Sequence, residues 1–490
     1  MHERCKLGLR LAVFMAAATG VGGAVEQSTH RGPVDVGTAK QVFIDGRFLA
    51  ERRGAELVVN RPQLTGEKLL VQDKPWEDDW IGGYTSVIQD GDRIRMWYET
   101  ADRRGVGGVA YAYSVDGGRS WTKPNLGVVD YQGSTDNNLV VKGIHGSTVF
   151  KNRPDAPGDQ KYGMFVINRA LVSPDGFHWK PHGSDPFLDP NVNDNLTLDS
   201  QNVIFWDTRL KKYVAYARFN FPQPPDWAPS HFLRKYGRAE SEDFGDFGEF
   251  DFVLEPDDED PRDFDHYTTA AVQYPFAADA YYMFPAAYYH YPSPPAPNND
   301  GPLDIQFAAS RDGIKWLRPD RQPVIRKGPD GGWNGGSMYA GYGISRMGNE
   351  LSLYYTAYDV THGAYGARGY LGGVISRAIY RLDGFISVDA TYEGGEFTTP
   401  TLVFEGDRLE INLDGSAGGW CRIEIQDDQG NPVPGFGEDE SDKVAGNSVA
   451  KPVTWQGRTD LSSLQGKVIR LRFVLRDAKL YAFQFPQSRD

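Results

Sequence analysis

The chain is poor in cysteine: two of its 490 residues are Cys. Cys5 lies in an N-terminal leader described below, so the processed chain keeps only Cys421 and cannot form an intramolecular disulfide. Cys421 sits in Trp420-Cys421-Arg422-Ile423-Glu424-Ile425, an alternating strand pattern that suits a buried thiol. Positive charge is also scarce. Against 66 Asp and Glu there are 52 Lys and Arg, a net charge of −14. Nucleic acid is thereby excluded as the main partner, because phosphate binding needs a basic surface. No later stretch reaches the ~18 apolar residues that would span a bilayer, so no membrane partner is expected. His-Glu-x-x-His, Gly-x-Ser-x-Gly and clustered Cys/His spacings are missing, which removes several common hydrolase and zinc-site readings.

Turn formers and rings are abundant instead. The chain has 56 Gly, 31 Pro and 13% aromatic residues, a balance that favours an all-β protein and argues against disorder. Residues 1–24 read as a secretory signal. Arg4, Lys6 and Arg10 precede the apolar run Leu11 to Ala18, and small residues lead to Gly-Gly-Ala at Ala24. A secreted or periplasmic location is therefore expected.

One motif recurs. Ser114-Val115-Asp116-Gly117-Gly118-Arg119-Ser120-Trp121 is its fullest copy. Shorter copies are Ser173-Pro174-Asp175-Gly176-Phe177-His178-Trp179 and Ser310-Arg311-Asp312-Gly313-Ile314-Lys315-Trp316. Ser241 to Phe247 and Leu382-Asp383-Gly384-Phe385 are degenerate copies. The aspartates at 116, 175, 243, 312 and 383 are spaced evenly enough to imply one repeated supersecondary unit. In each copy Asp accepts backbone N–H bonds, Gly takes a positive φ, and an aromatic ring folds back as a plug. The fullest copy resembles the Asp-box of sialidases and related propellers, and the role expected of it is structural.

Three strand-like segments precede each box, as in Tyr84–Ile88, Ile94–Tyr98 and Gly108–Tyr113. Five such units closing into a ring would leave no open sheet edge. The expected fold is an all-β five-bladed β-propeller over 76–392, after a lead-in and closing strand within 25–75. Alternating strands such as Arg408–Leu413 and Val468–Leu475 point to a C-terminal β-sandwich over 395–490.

This architecture resembles the invertase/levanase and arabinanase superfamily of glycoside hydrolases. The phrases Asp199-Ser200-Gln201-Asn202-Val203-Ile204-Phe205-Trp206-Asp207 and Ser310-Arg311-Asp312-Gly313 are similar to an uncharacterised bacterial branch of glycosyl-hydrolase-like proteins. The invertase-type start Trp-Met-Asn-Asp-Pro-Asn-Gly and the arabinanase Asp-Pro start are absent, so catalytic residues do not carry over by motif. The resemblance implies a carbohydrate substrate and cleavage of a glycosidic bond in a plant or algal poly- or oligosaccharide. A non-catalytic carbohydrate-binding propeller is the alternative class. A sialidase is a lesser one, since it would need six blades and an arginine triad.

Propeller geometry puts first-strand starts and second-strand ends on one rim. Glycoside hydrolysis needs two carboxyl groups there. The expected catalytic set is Asp199, Asp265, Glu99 and Glu77, with Asp199 favoured as base or nucleophile. Trp80, Tyr267 and Trp333 could stack on a sugar. Arg169 and Arg218 suit a carboxylated or sulfated sugar or its hydroxyls, and His145, His266, His290, His362 and Asp359 could bind hydroxyls. The run Asp189-Pro190-Asn191-Val192-Asn193-Asp194 imitates an EF-hand start, but Asp194 replaces the turn Gly and Ser200 the final Glu. A structural calcium is the lesser expectation there, and no cofactor is called for.

Overall fold

The computed structural model describes residues 32–488 except 168, 184–193, 223–231, 292–298 and 365–370. The expected signal and most of the calcium-like run lie outside the described residues. The protein is all-β, with 47% strand and 3% helix, so strands and loops position every side chain discussed below.

Five sheets follow one another between residues 80 and 381. The first runs Trp80–Asp90, Arg93–Ala101, Gly107–Ser114, Leu139–Lys142, each strand antiparallel to the last. Its first hairpin turns on Gly91-Asp92, where Gly91 supplies a positive φ of 63°. The second sheet is Thr148–Lys151, Tyr162–Val166, Arg169–Ser173, Lys180–Pro181. The third is Val203–Asp207, Lys212–Pro222, Phe232–Ser241, Asp251–Leu254. In the fourth, Pro285 can donate no ladder bond. It falls at the break in the middle position of a unit made of two three-stranded sheets, Phe264–His266, Ala286–Tyr289, Leu303–Ile305 and Val272–Gln273, Tyr281–Met283, Ala308–Ser310. The fifth is Ser337–Met347, Glu350–Tyr358, Val374–Arg381, and its outer position is filled by Gln63–Leu64 and Leu70–Val71 from far upstream.

First strands meet. Trp80–Asp90 touches Thr148–Lys151, which touches Val203–Asp207. Thr148 Oγ1 donates to Asn202 O at 2.7 Å, and Gln201 Nε2 donates to Thr85 O at 3.0 Å. The fifth and first sheets pair directly, in parallel, at Tyr342 and Ser86. Both strands bulge there, between Gly82 and Ser86 and between Ala340 and Ile344. Glycine makes this approach feasible. A Cβ on Gly82 (φ +96°) would lie 2.3 Å from Thr356 Cγ2, and one on Gly343 (φ +98°) 2.0 Å from Val87 O.

The three full turn motifs share one bonding pattern. Asp116 Oδ1 accepts the N–H groups of Arg119 and Ser120, Asp175 Oδ1 those of Phe177 and His178, and Asp312 Oδ1 those of Ile314 and Lys315. In each, the Trp Nε1 donates to a glycine carbonyl three residues back. Asp383 departs from the pattern. Its carboxylate is drawn off its own turn by Lys40 Nζ at 2.9 Å, Tyr274 OH at 2.7 Å and Asn412 Nδ2 at 3.0 Å. It joins the N-terminal segment, the fourth sheet and the C-terminal strands.

Two further sheets stack at the C-terminal side. One is ordered Asn447–Pro452, Glu410–Asp414, Ala478–Gln484, Ile386–Ala390, Ala55–Val59, and the other Glu51–Arg53, Gly395–Thr398, Arg470–Arg476, Trp420–Gln426, Val444–Ala445. Phe473 and Phe483 meet between them at 6.1 Å. Residues 51–59 thus pair with strands more than 300 residues later, a partnership that strand periodicity does not signal. Cys421 is buried in this core, and burial pushes its thiol up.

Candidate active site

Alternation on Arg93–Ala101 sends Tyr98 and Glu99 to opposite faces. Glu99 is buried and lies opposite Gly82. Its Oε1 accepts Ser147 N at 2.6 Å and Ser147 Oγ at 2.9 Å, and its Oε2 lies 2.9 Å from His145 Nδ1. His145 is 44% exposed. Its ring packs on Tyr84 at 5.1 Å and on the edge of Trp80 at 6.0 Å. Burial pulls its pKa down, Glu99 pulls it up by more, and the net shift is upward. Glu99 on Nδ1 fixes the ring so that Nε2 faces away from the carboxylate.

Tyr84 OH donates to Tyr267 OH at 3.4 Å. Tyr267 is the hub. Around its ring lie Tyr288, Tyr339 and His362, with centroids at 5.9, 5.6 and 4.5 Å. The guanidinium carbons of Arg218 and Arg234 each sit 5.0 Å from its centroid. Arg218 is 1% exposed and pairs through Nη2 with Asp199, which is 67% exposed. Its Nε and Nη1 are buried without a hydrogen-bond partner among the described residues. Arg234 Nη1 donates to Asp265 Oδ2 at 2.9 Å, its backbone N–H donates to the same oxygen at 3.2 Å, and His290 Nε2 lies 3.3 Å away. Asp265 is wholly buried. Burial alone would raise its carboxyl, but Arg234 and His290 outweigh that and hold it below the usual range. His362 accepts or donates at Nδ1 with Tyr339 OH, 2.9 Å away, and burial beside Arg234 and Arg218 pushes it down to about 3.

Side chains from the first, third, fourth and fifth sheets and the loops beside them, with His145 from the loop between the first and second sheets, therefore join one contact network: Glu99, Trp80, Tyr84; His145; Asp199, Arg218, Arg234; Asp265, Tyr267, Tyr288, His290; Tyr339, His362. Glu77, His266 and Trp333 stand apart. Glu77 accepts Tyr98 OH at 2.8 Å and Lys123 Nζ at 2.7 Å, so it lies on the face opposite Glu99. It is a buried structural anion whose carboxyl burial raises. His266 follows Asp265 and points the other way, against Phe264 at 5.0 Å, where burial and Arg318 push it down to about 3. Trp333 packs against the core shared with the C-terminal sheets. Arg169 opens a strand of the second sheet and Asp359 follows one of the fifth, and both are exposed.

Arg234 was not anticipated, and Asp79, expected on the rim with Glu77, Asp78 and Trp80, was not in the expected catalytic set. Third-strand starts share the rim with second-strand ends, and Arg234 lies in such a start, opposite Asn220. Asp79 immediately precedes Trp80 in the acidic run 77–79. Its Oδ1 accepts Leu371 N at 3.1 Å, and Leu371 packs on the tyrosine cluster. Burial raises its carboxyl, and that N–H only partly offsets the rise. Among the described residues no group of three or more His, Cys, Asp or Glu is arranged to hold a metal ion. No helix among them is long and apolar enough to cross a membrane.

No protein-family model matches the chain, and no curated protein matches it. Solved structures show distant likeness. A glycosyl hydrolase from Bacteroides ovatus is 13% identical, with TM-score 0.42 over 66% of this chain and 94% of its own. The catalytic domain of a Coprinopsis cinerea GH62 alpha-L-arabinofuranosidase is 14% identical, with TM-score 0.41 over 65% and 97%. An N-acetylgalactosamine deacetylase from F. plautii is 12% identical, with TM-score 0.33 over 72% and 96%. TM-scores this low carry neither a fold nor an activity across.

Proposed function

We propose that the five sheets are the blades of a five-bladed propeller with a C-terminal β-sandwich, and that the protein is a secreted glycoside hydrolase acting on a plant or algal poly- or oligosaccharide. The observation that carries this reading is the convergence on Tyr267 of ionic and aromatic side chains from distant strands, Arg218 and Arg234 of the third sheet, Tyr288 of the fourth, Tyr339 of the fifth and Tyr84 of the first. Stacking rings and fixed hydrogen-bonding groups are what a sugar site requires.

Exposure divides the carboxylates by role. A group that reacts with substrate must be reachable, and Asp265 and Glu99 are 0% exposed. Asp199, mostly exposed and ion-paired with Arg218, is the anionic partner that activates water or attacks the anomeric carbon. Asp79, its carboxyl raised by burial, is the proton donor to the leaving oxygen. Asp265 positions Arg234, and Glu99 positions His145. Trp80 and Tyr267 offer sugar-stacking faces, and Arg218 and His145 offer hydrogen bonds.

The second reading, a non-catalytic carbohydrate-binding propeller, is favoured by the full burial of Asp265 and Glu99, which withdraws two of the expected catalytic carboxylates from substrate. Incubation with a panel of plant and algal polysaccharides separates the two. Release of new reducing ends, lost in Asp199→Asn, supports hydrolysis. Binding without release supports the module.

A further inference from the structure

The outer face of the five-stranded C-terminal sheet is divided into two electrically different halves. Cys421, Ile423 and Ile425 are buried, as are Leu471, Phe473 and Leu475. The period of two therefore turns Trp420, Arg422 and Glu424 outward, together with Arg470, Arg472, Val474 and Arg476. In one half the charges are matched. Arg472 meets Glu396, Glu424 and Glu438, and Arg470 meets Glu51 at 3.8 Å.

In the other half three cations have no carboxylate within ion-pair distance among the described residues: Arg422, Lys443 and Arg476. They sit beside the half-buried ring of Trp420 and the exposed ring of Tyr392. Trp420 is the direct cross-strand partner of Arg476. Lys443 Nζ lies 4.8 Å from the Trp420 ring, and the Arg476 guanidinium lies 4.1 Å from the ring of Tyr392. Tyr392 is 67% exposed. Arg476 Nε donates to Tyr392 O at 3.0 Å, so the cation and ring are held together rather than loosely adjacent. These three cations, none ion-paired among the described residues although the Arg422 charge reaches Asp442 and helps to lower its carboxyl, cluster on a chain of net charge −14, so the patch opposes the field of the whole molecule. Cations interleaved with rings are the chemistry that takes a sugar polymer bearing carboxylates. The guanidinium fork matches a carboxylate, and a ring can stack on the apolar face of a pyranose.

We propose that Trp420, Arg422, Lys443, Arg476 and Tyr392 form a second binding surface, separate from the Tyr267 network, for an acidic polysaccharide of the polyuronate class. The choice of a polysaccharide over other polyanions rests on the function proposed above. The surface itself does not. Its task is to hold the chain at the polymer while the other site works.

The test is binding of the full-length protein to polygalacturonate, measured by affinity electrophoresis and calorimetry. The controls are the same polymer after methyl esterification, dextran sulfate, double-stranded DNA and vesicles containing anionic lipid. The variants are Arg422→Gln/Arg476→Gln and Trp420→Ala/Tyr392→Ala, each checked for an unchanged thermal midpoint. Lys443→Gln, at an exposed position, is the variant least able to disturb folding. The proposal expects binding to polygalacturonate that falls at least tenfold in the double variants and on esterification, weakens as salt rises, and leaves cleavage of short oligosaccharides unchanged. It is overturned if the esterified polymer binds equally well, if folded double variants bind like the parent, or if dextran sulfate, DNA or vesicles bind more tightly than polygalacturonate. Loss of all hydrolysis with this binding intact would remove the hydrolase reading alone.

Discussion

Glu99 Oε2, in the second strand of the first sheet, and His145 Nδ1, in the loop that leads to the second sheet, lie 2.9 Å apart. The carboxylate raises the histidine against the pull of burial. Glu99→Gln should therefore lower the His145 titration midpoint, read from its ring-proton shifts by NMR. An unchanged midpoint would mean that the pair does not persist in solution. The sign for stability follows. A histidine raised on folding adds stability that is fully present below its unfolded value of ~6.5 and is lost as pH rises through its folded value. The stability gap between the parent and Glu99→Gln should narrow over that window.

Arg234 and Asp265 are a buried pair. Removing one member leaves the other uncompensated, at a cost of about 3–5 kcal/mol. Asp265→Ala should lose that much in denaturant unfolding, and Arg234→Met/Asp265→Ala together should lose less than the sum of the single changes. Asp265 is depressed on folding, so its contribution is present above the unfolded Asp value of ~3.9 and is lost as pH falls through the folded value. Additive losses would show that the two side chains act independently.

The turn aspartates should matter to stability and not to chemistry. Asp312 Oδ1 accepts two backbone N–H groups and the Ser310 hydroxyl. Asp312→Ala should cost about 1–3 kcal/mol, the scale of hydrogen bonds to a charged group, with turnover per folded molecule unchanged. A selective loss of turnover would give this turn a role in the site.

The glycines where the first and fifth sheets join are steric requirements. Gly343→Ala places a Cβ against Val87 O at a positive φ, and should destabilise by about 2 kcal/mol or more. A thermal melt unchanged by the substitution would mean that the strands separate readily there.

Much of the fold was legible because turn chemistry is local. Asp, Gly and Trp at fixed offsets specify the same hydrogen bonds wherever they occur, and the strands between them alternate visibly. Asp383 shows the limit: Lys40, Tyr274 and Asn412 reach it from distant segments and override its turn. The pairing of residues 51–59 with C-terminal strands is non-local in the same way. The rim argument named Glu99, His145, Arg218, Asp265 and Tyr267, which lie in one contact network, but it could not read facing. Glu77 and Asp79 are two residues apart, and only the contacts of Tyr98 and Lys123 show that Glu77 turns into the core. Arg234 was passed over because third-strand starts were left out of the rim.

The assignment of Asp199 and Asp79 as the reacting pair is tested most directly by kinetics and affinity on one cleaved oligosaccharide. The account predicts that Asp199→Asn and Asp79→Asn each lower kcat/KM at least ~100-fold, the scale of general acid–base catalysis, while substrate Kd changes little. Wild-type turnover in both variants, or a loss that lies wholly in Kd, would contradict it.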